Sequence, residues 1–106
     1  MNILVTGAGG QLGKALRQIS ELSGHSCLFT DVRPEGEVVA LDITDGNAVA
    51  RMLDEYDIDI VVNCAAYTDV ERAETDVENA RRVNAFAAGV VAGEVARKNI
   101  SLIHVS

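Results

Sequence analysis

The chain has 106 residues, of which 48% are hydrophobic and 24% are charged, and its formal net charge is −7. This size suits one small domain, and the acidic balance argues against duplex nucleic-acid binding, which needs a basic face. No basic segment followed by an apolar run marks a signal peptide, and the longest weakly polar stretch, residues 85–93, is too short to span a bilayer. We therefore expect a soluble intracellular protein with neither nucleic acid nor membrane as a partner.

The first half of the chain alternates between strand and helix patterns. Residues 2–6 predict a short apolar strand that ends at a group of glycines. Residues 11–23 place apolar side chains on one helical face, and Gly24 follows where a helix C-cap glycine belongs. Residues 26–30 predict a second strand, and after a turn that contains the single proline, residues 38–41 predict a third.

The second half continues the alternation with longer elements. Thr44 or Asp45 can cap a second helix, whose inward positions are Val49, Met52, Leu53 and Tyr56. Residues 58–66 are almost continuously apolar, which is typical of a strand covered on both faces. Residues 76–98 predict a long helix, and residues 101–105 predict a fifth strand.

This order of elements predicts an α/β fold, a Rossmann-type parallel sheet with right-handed crossovers and helices on both faces. The link between the second and third strands is too short for a helix, so the simplest strand order is 3-2-1-4-5. The topological switch then lies between strands 1 and 4, and ligands bind beside it at the carboxyl ends of the strands. The glycines lie at that place.

The two cysteines, Cys27 and Cys64, fall in strands that this order separates by one further strand. Two inter-strand spacings are about 9.6 Å, which exceeds the roughly 7 Å between Cα atoms that a disulfide can bridge. Neither the cysteines nor the acidic cluster in residues 54–59 has the spacing of metal ligands. We expect two buried free thiols and no metal site.

The glycines fit one of three phosphate-binding spacings. The Walker A spacing fails because Ala8 stands where its first glycine is needed, and the strict G-x-G-x-x-G spacing fails because Leu12 stands in place of its last glycine. The spacing that fits is Gly7-x-x-Gly10-x-x-Gly13. A strand before this motif and an amphipathic helix after it are the context that dinucleotide binding requires.

Each position of the motif has a predicted role in holding NADH or NADPH. Gly7 makes the tight turn, Gly10 lets a pyrophosphate approach the backbone, and Gly13 lets the helix pack closely on the strand. Gln11 and Leu12 open the helix, whose free N–H groups and dipole favour phosphate. Residues 1–106 are therefore predicted to be an NAD(P)-binding Rossmann domain that stops after the fifth strand.

Asp31 follows the second strand about 20 residues after the glycines and is predicted to bind the adenosine ribose hydroxyls. The alternative is that Asp31 only begins a turn. A carboxylate favours a free 2′-hydroxyl and repels a 2′-phosphate, which points to NADH. Arg33 could offset that repulsion, so the choice between NADH and NADPH stays open, with NADH expected to bind at least as well.

Several further stretches resemble known enzymes. LDITD, at residues 41–45, resembles the segment after the third strand of extended short-chain dehydrogenases/reductases. VVNCAAYTDVERAE (residues 61–74), VNAFA (residues 83–87) and LIHVS (residues 102–106) resemble the dTDP-4-dehydrorhamnose reductase family. The resemblance covers the whole chain and implies a cytoplasmic NAD(P)H-dependent reductase of a dTDP-4-keto-6-deoxy sugar, in dTDP-rhamnose biosynthesis for surface polysaccharides.

The resemblance also implies cofactor contacts in two loops. Asp42 and Ile43 would contact the adenine. Ala66, Tyr67 and Thr68 would line the cofactor near its ribose and nicotinamide. A sugar-nucleotide substrate is the implied partner of the whole enzyme.

Two positions are implied to support the active site, and the reactive residues themselves are missing. Asn84 matches a helix asparagine that supports the site, although it could instead bond to the neighbouring backbone. Ser106 matches the serine before the family's catalytic threonine. The family's Tyr-x-x-x-Lys pair is absent, because Tyr56 is followed four residues later by Ile60. We therefore expect the cofactor-binding part of a longer reductase, inactive alone.

Other readings stay open. A sugar-nucleotide epimerase or dehydratase would share this first half, and a non-catalytic regulatory subunit such as the methionine adenosyltransferase beta subunit also resembles it. His25 and His104 are interpreted as structural. We also expect self-association or loss of order at the C-terminus, because the fifth strand would present an uncovered edge to a second chain.

Overall fold

The structure is a computed structural model that describes residues 1–9, 13–18, 24–34, 36–64 and 77–105, without the side chains of residues 77–81, 83 and 84. The described strands are β1 (Asn2–Thr6), β2 (Ser26–Asp31), β3 (Val39–Ala40), β4 (Ile60–Asn63) and β5 (Ser101–His104). The described helices are α1 (residues 13–18), α2 (Gly46–Glu55) and α3 (Val77–Arg97).

The strands form one sheet in the order β3-β2-β1-β4-β5, and every neighbouring pair is parallel. The predicted order 3-2-1-4-5 is confirmed, and the switch lies between β1 and β4. The register places Leu4 beside Leu28 and Val61, and Val61 beside Leu102. Apolar side chains therefore form a row across the sheet.

Helices pack on both faces of this sheet. One face is buried by the inward stripes of α2 and α3. The buried core on this face comprises Leu4, Leu41, Val49, Leu53, Ile58, Val61, Val91 and Val95. On the other face, Val5 and Ala8 pack with Leu16 of α1 and with Phe29 of β2. Burial on both faces explains why residues 3–5 of β1 and 60–62 of β4 are all apolar.

The cap of α2 resolves one alternative and corrects one prediction. Asp45 is the N-cap, and its carboxylate accepts hydrogen bonds from two amides of the first turn at 3.1 and 3.2 Å. The prediction that Tyr56 faces inward is wrong, because its residue is 42% exposed. The helix ends at Glu55, and Tyr56 leaves the helical path as the C-cap residue.

Some strand limits also differ from the predicted ones. β3 has two residues rather than the four expected, and β2 runs one residue further, to Asp31, which pairs with Ala40. Cys27 and Cys64 are free thiols, as predicted, but both are half-buried rather than buried. Among the described residues, no three His, Cys, Asp or Glu side chains are placed so that they could hold a metal ion together. The described helices include none with the length and apolar character needed to cross a membrane.

Candidate functional site

A glycine turn follows β1 and lies against the end of β2. Gly7 has φ of 70°, in the left-handed region that glycine adopts without strain. The amide of Ala8 donates to the carbonyl of Thr30 at 2.9 Å. The next amide, that of Gly9, donates to Oδ2 of Asp31 at 2.8 Å. Two consecutive turn amides are thus bonded to two consecutive residues of β2.

Helix α1 is in backbone contact with the same turn. A Cβ added at Gly13 would lie 2.4 Å from Cα of Ala8 and 2.6 Å from its carbonyl oxygen. Ala8 itself is fully buried. The close approach predicted for Gly13 is present, but its partner is Ala8 of the turn rather than a residue of β1.

Two acids lie at the carboxyl ends of β2 and β3. Asp31 is the last residue of β2, and its carbonyl accepts a hydrogen bond from the amide of Leu41 at 2.9 Å. Asp42 comes directly after Leu41, just beyond the end of β3, so the two carboxylates lie at the ends of neighbouring strands. Residues at this edge are the ones that Rossmann-type sheets use for the adenosine end of a ligand.

The carboxylate of Asp42 is fixed by a local turn. Its Oδ1 accepts hydrogen bonds from the hydroxyl of Thr44 at 2.6 Å and from the Thr44 amide at 2.9 Å. These two bonds hold the pKa of Asp42 below its ordinary value, because they favour the charged form. Ile43, between them, is half-buried and packs against the core on the α2 and α3 face.

A row of polar side chains crosses the switch at the same end of the sheet. Thr6, Asn63 and His104 share one register position on β1, β4 and β5. The Thr6 hydroxyl donates to Oδ1 of Asn63 at 2.5 Å, and Nδ2 of Asn63 lies 3.3 Å from Nδ1 of His104. Because Thr6 and Asn63 are almost completely buried, this row holds the ends of three strands together.

The structure brings four of the predicted cofactor residues to one edge: Gly7, Gly13, Asp31 and Asp42. Gly10, Gln11, Leu12, Ala66, Tyr67, Thr68 and Ser106 lie outside the described residues, and so does the side chain of Asn84, whose backbone is part of α3. Gly9 and Asn63 were not singled out from the sequence. Gly9 is outside the glycine motif, and the partners of Asn63 come from strands far away along the chain.

This sheet, with a glycine turn after β1 and an acid at the end of β2, is a Rossmann-type α/β domain, the class typical of dinucleotide-binding proteins. A model of the family described as the RmlD substrate binding domain matches residues 1–106. The chain belongs to this family.

Named relatives share the whole chain but extend well beyond it. The probable low-salt glycan biosynthesis reductase Agl14 of Haloferax volcanii is 39% identical, over 100% of this chain and 37% of its own length. The dTDP-4-dehydrorhamnose reductase of Mycolicibacterium smegmatis is 39% identical, over 98% of this chain and 29% of its own. The chain therefore spans about a third of the length of the curated relatives it matches.

One solved structure and one further relative bear on the function. The dTDP-4-dehydrorhamnose reductase of Bacillus anthracis, solved in complex with NADP, is 32% identical with a TM-score of 0.77, over 95% of this chain and 34% of that one. The methionine adenosyltransferase 2 subunit beta of Pongo abelii is 33% identical, over 98% of this chain and 31% of its own length.

Proposed function

We propose that this chain is the NADH- or NADPH-binding part of a cytoplasmic sugar-nucleotide reductase. The observation that carries the proposal is the bond between the Gly9 amide and the Asp31 carboxylate. That bond joins the phosphate-binding turn to the ribose-binding acid at the carboxyl ends of β1 and β2, beside the topological switch. This is the arrangement by which a Rossmann-type domain holds a dinucleotide.

Each part of the cofactor has a matching element. The pyrophosphate would lie on the turn that begins at Gly7, beside α1, since the N-terminus of a helix favours anions. The ribose hydroxyls would donate to the Asp31 carboxylate. The adenine would lie toward Asp42, which together with the exposed Val32 lines a groove of about 380 Å³ between β3 and α2.

The reaction assigned to the complete enzyme is reduction of a dTDP-4-keto-6-deoxy sugar in the synthesis of dTDP-rhamnose. The names of the reductases that match this chain support that substrate. The bound cofactor would supply the hydride, and this chain would bind and orient it. Neither Tyr56 nor Tyr67 is followed by lysine at the fourth position, so the chain alone would lack a tyrosine–lysine pair to protonate the sugar oxygen.

A second candidate is a regulatory subunit that keeps the fold without the reaction. The similarity to the methionine adenosyltransferase 2 subunit beta favours it. Turnover separates the two candidates: a longer reductase that contains this chain should oxidise NADH or NADPH in the presence of the dTDP-4-keto sugar. Cofactor binding without turnover would favour the subunit.

Self-association through β5 is part of the proposal. The described residues contain no strand on the outer side of β5, and Ile103 on that strand is 52% exposed. An unpaired edge with apolar side chains recruits another strand. Sedimentation of the purified chain should show a concentration-dependent dimer, and a monomer at all concentrations would contradict this.

Calorimetric titration of the chain with each cofactor tests the binding proposal. We expect NADH to bind at least as tightly as NADPH. Asp31→Ala should shift the preference toward NADPH, because it removes the charge that repels a 2′-phosphate. Gly89→Ala, in an exposed part of α3 where an added Cβ meets nothing within 4 Å, is the matched control. Absence of binding by the folded wild-type chain would refute the assignment.

A further inference from the structure

The carboxylate of Asp31 lies directly against the backbone of Gly9, a position that depends on the absence of a side chain at Gly9. Besides the 2.8 Å hydrogen bond between the Gly9 amide and Oδ2 of Asp31, a Cβ built on Gly9 would lie 2.8 Å from the same Oδ2 and 3.4 Å from Cγ. Nonbonded carbon atoms prefer about 3.5 Å or more, and 2.8 Å is also too short for a Cβ beside a carboxylate oxygen, because a Cβ makes no strong hydrogen bond. The carboxylate can therefore occupy this place only while residue 9 has no side chain.

The backbone at Gly9 does not itself require glycine. Gly9 lies outside the left-handed φ region, unlike Gly7 in the same turn, whose φ is 70°. Among the described residues, the obstacle to alanine is thus the end of one flexible side chain, which can rotate away, and not a neighbouring backbone. Gly9→Ala is expected to keep the fold while it displaces the Asp31 carboxylate.

From this geometry we propose that Gly9 is a specificity-determining residue for the nicotinamide cofactor, an inference that rests on the cofactor-binding function proposed above. Gly9 keeps the negative charge of Asp31 against the glycine turn, where it accepts hydrogen bonds from a free ribose and opposes a 2′-phosphate. Asp31 in turn is a positioning residue for the turn, because it holds the Gly9 amide. The two residues act as one unit that joins the phosphate subsite to the ribose subsite.

The first experiment compares Gly9→Ala with Gly89→Ala, the matched glycine-to-alanine change away from the site. Dissociation constants for NADH and NADPH are measured by calorimetry on each folded variant. We expect Gly9→Ala to lower the ratio of the NADPH constant to the NADH constant by about tenfold, the change that corresponds to about 1.4 kcal/mol. Gly89→Ala should leave the ratio unchanged. An unchanged ratio in Gly9→Ala would overturn the proposal.

The second experiment needs no cofactor and tests the contact itself. Hydrogen exchange of the Gly9 amide is measured by NMR in the wild type, in Asp31→Ala and in Asp31→Asn. The exchange should be clearly faster in Asp31→Ala and near the wild-type rate in Asp31→Asn, since the asparagine oxygen still accepts the bond. Equal exchange in all three proteins would overturn the positioning role. A protected amide in a wild-type chain that binds neither cofactor would preserve the positioning role, and it would refute both the proposed function and the specificity role of Gly9.

Discussion

The contact between Gly13 and Ala8 makes a sharp prediction about stability. In Gly13→Ala the new Cβ would lie 2.4, 2.6 and 2.7 Å from three backbone atoms of Ala8. Since nonbonded carbon atoms prefer about 3.5 Å or more, α1 and the turn would have to separate by about 1 Å. Ala8 has no room to retreat, because it is fully buried and its amide is bonded to Thr30.

The expected cost follows from this rigidity. Overpacking a core costs about 1–3 kcal/mol, and the upper end applies here because the obstacle is backbone rather than a flexible side chain. For a domain of this size, about 3 kcal/mol corresponds to a fall in Tm of about 10 °C or more. Gly89→Ala provides the control, since replacing an exposed helical glycine with alanine raises the free energy of unfolding by about 0.5–1 kcal/mol.

Thermal and urea unfolding followed by circular dichroism measure both variants. Each exchange of glycine for alanine lowers the entropy of the unfolded chain similarly, so the difference between the two variants reports the clash alone. Gly13→Ala should unfold well below the wild type and Gly89→Ala slightly above it. If Gly13→Ala unfolds within a few degrees of the control, the argument from the backbone contact is refuted.

Three further predictions concern the polar groups near the site. Because the pKa of Asp42 is lowered in the folded chain, the charged carboxylate stabilises the fold at neutral pH, and this stabilisation is lost as acid protonates it. Thr44→Val should therefore have a lower free energy of unfolding than the wild type at neutral pH and the same one in strong acid, as measured by urea titration. Asn63→Ala should cost about 1–3 kcal/mol, because the buried Thr6 hydroxyl loses its acceptor, and an unchanged urea midpoint would contradict this. Burial raises the pKa of the Cys64 thiol, so with the other cysteine replaced by serine, iodoacetamide should modify the chain more slowly than it modifies free cysteine.

Much of the fold could be predicted because its signals are local. The strand order depended on the alternation of periods and on the short link between β2 and β3, both of which are readable along the chain. The N-cap role of Asp45 was one of two predicted alternatives, and its side-chain type is what the cap requires. The prediction for Tyr56 was wrong because capping and packing determine where a helix ends, and a periodic pattern does not mark that end.

The candidate site could be predicted only in part, because only some of its residues are marked by local signals. The motif spacing predicted Gly7, Gly13 and Asp31, since the role expected of each is tied to a strand or helix end. It did not identify Gly9, whose proposed role depends on its hydrogen bond to the Asp31 carboxylate across the turn. His104 was interpreted as structural, and its contact with Asn63 agrees with that.

The sequence by itself determined the order of elements, the position of the glycine turn and the acid at the end of β2, because these depend on residue type and on spacing within one segment. Only the tertiary structure decided which atoms meet. Gly9 and Asp31 are separated by 22 positions along the chain, and Thr6 and Asn63 by 57. Strand register brings each pair together. Register arises from packing of the whole sheet between its helices, so no single segment contains it.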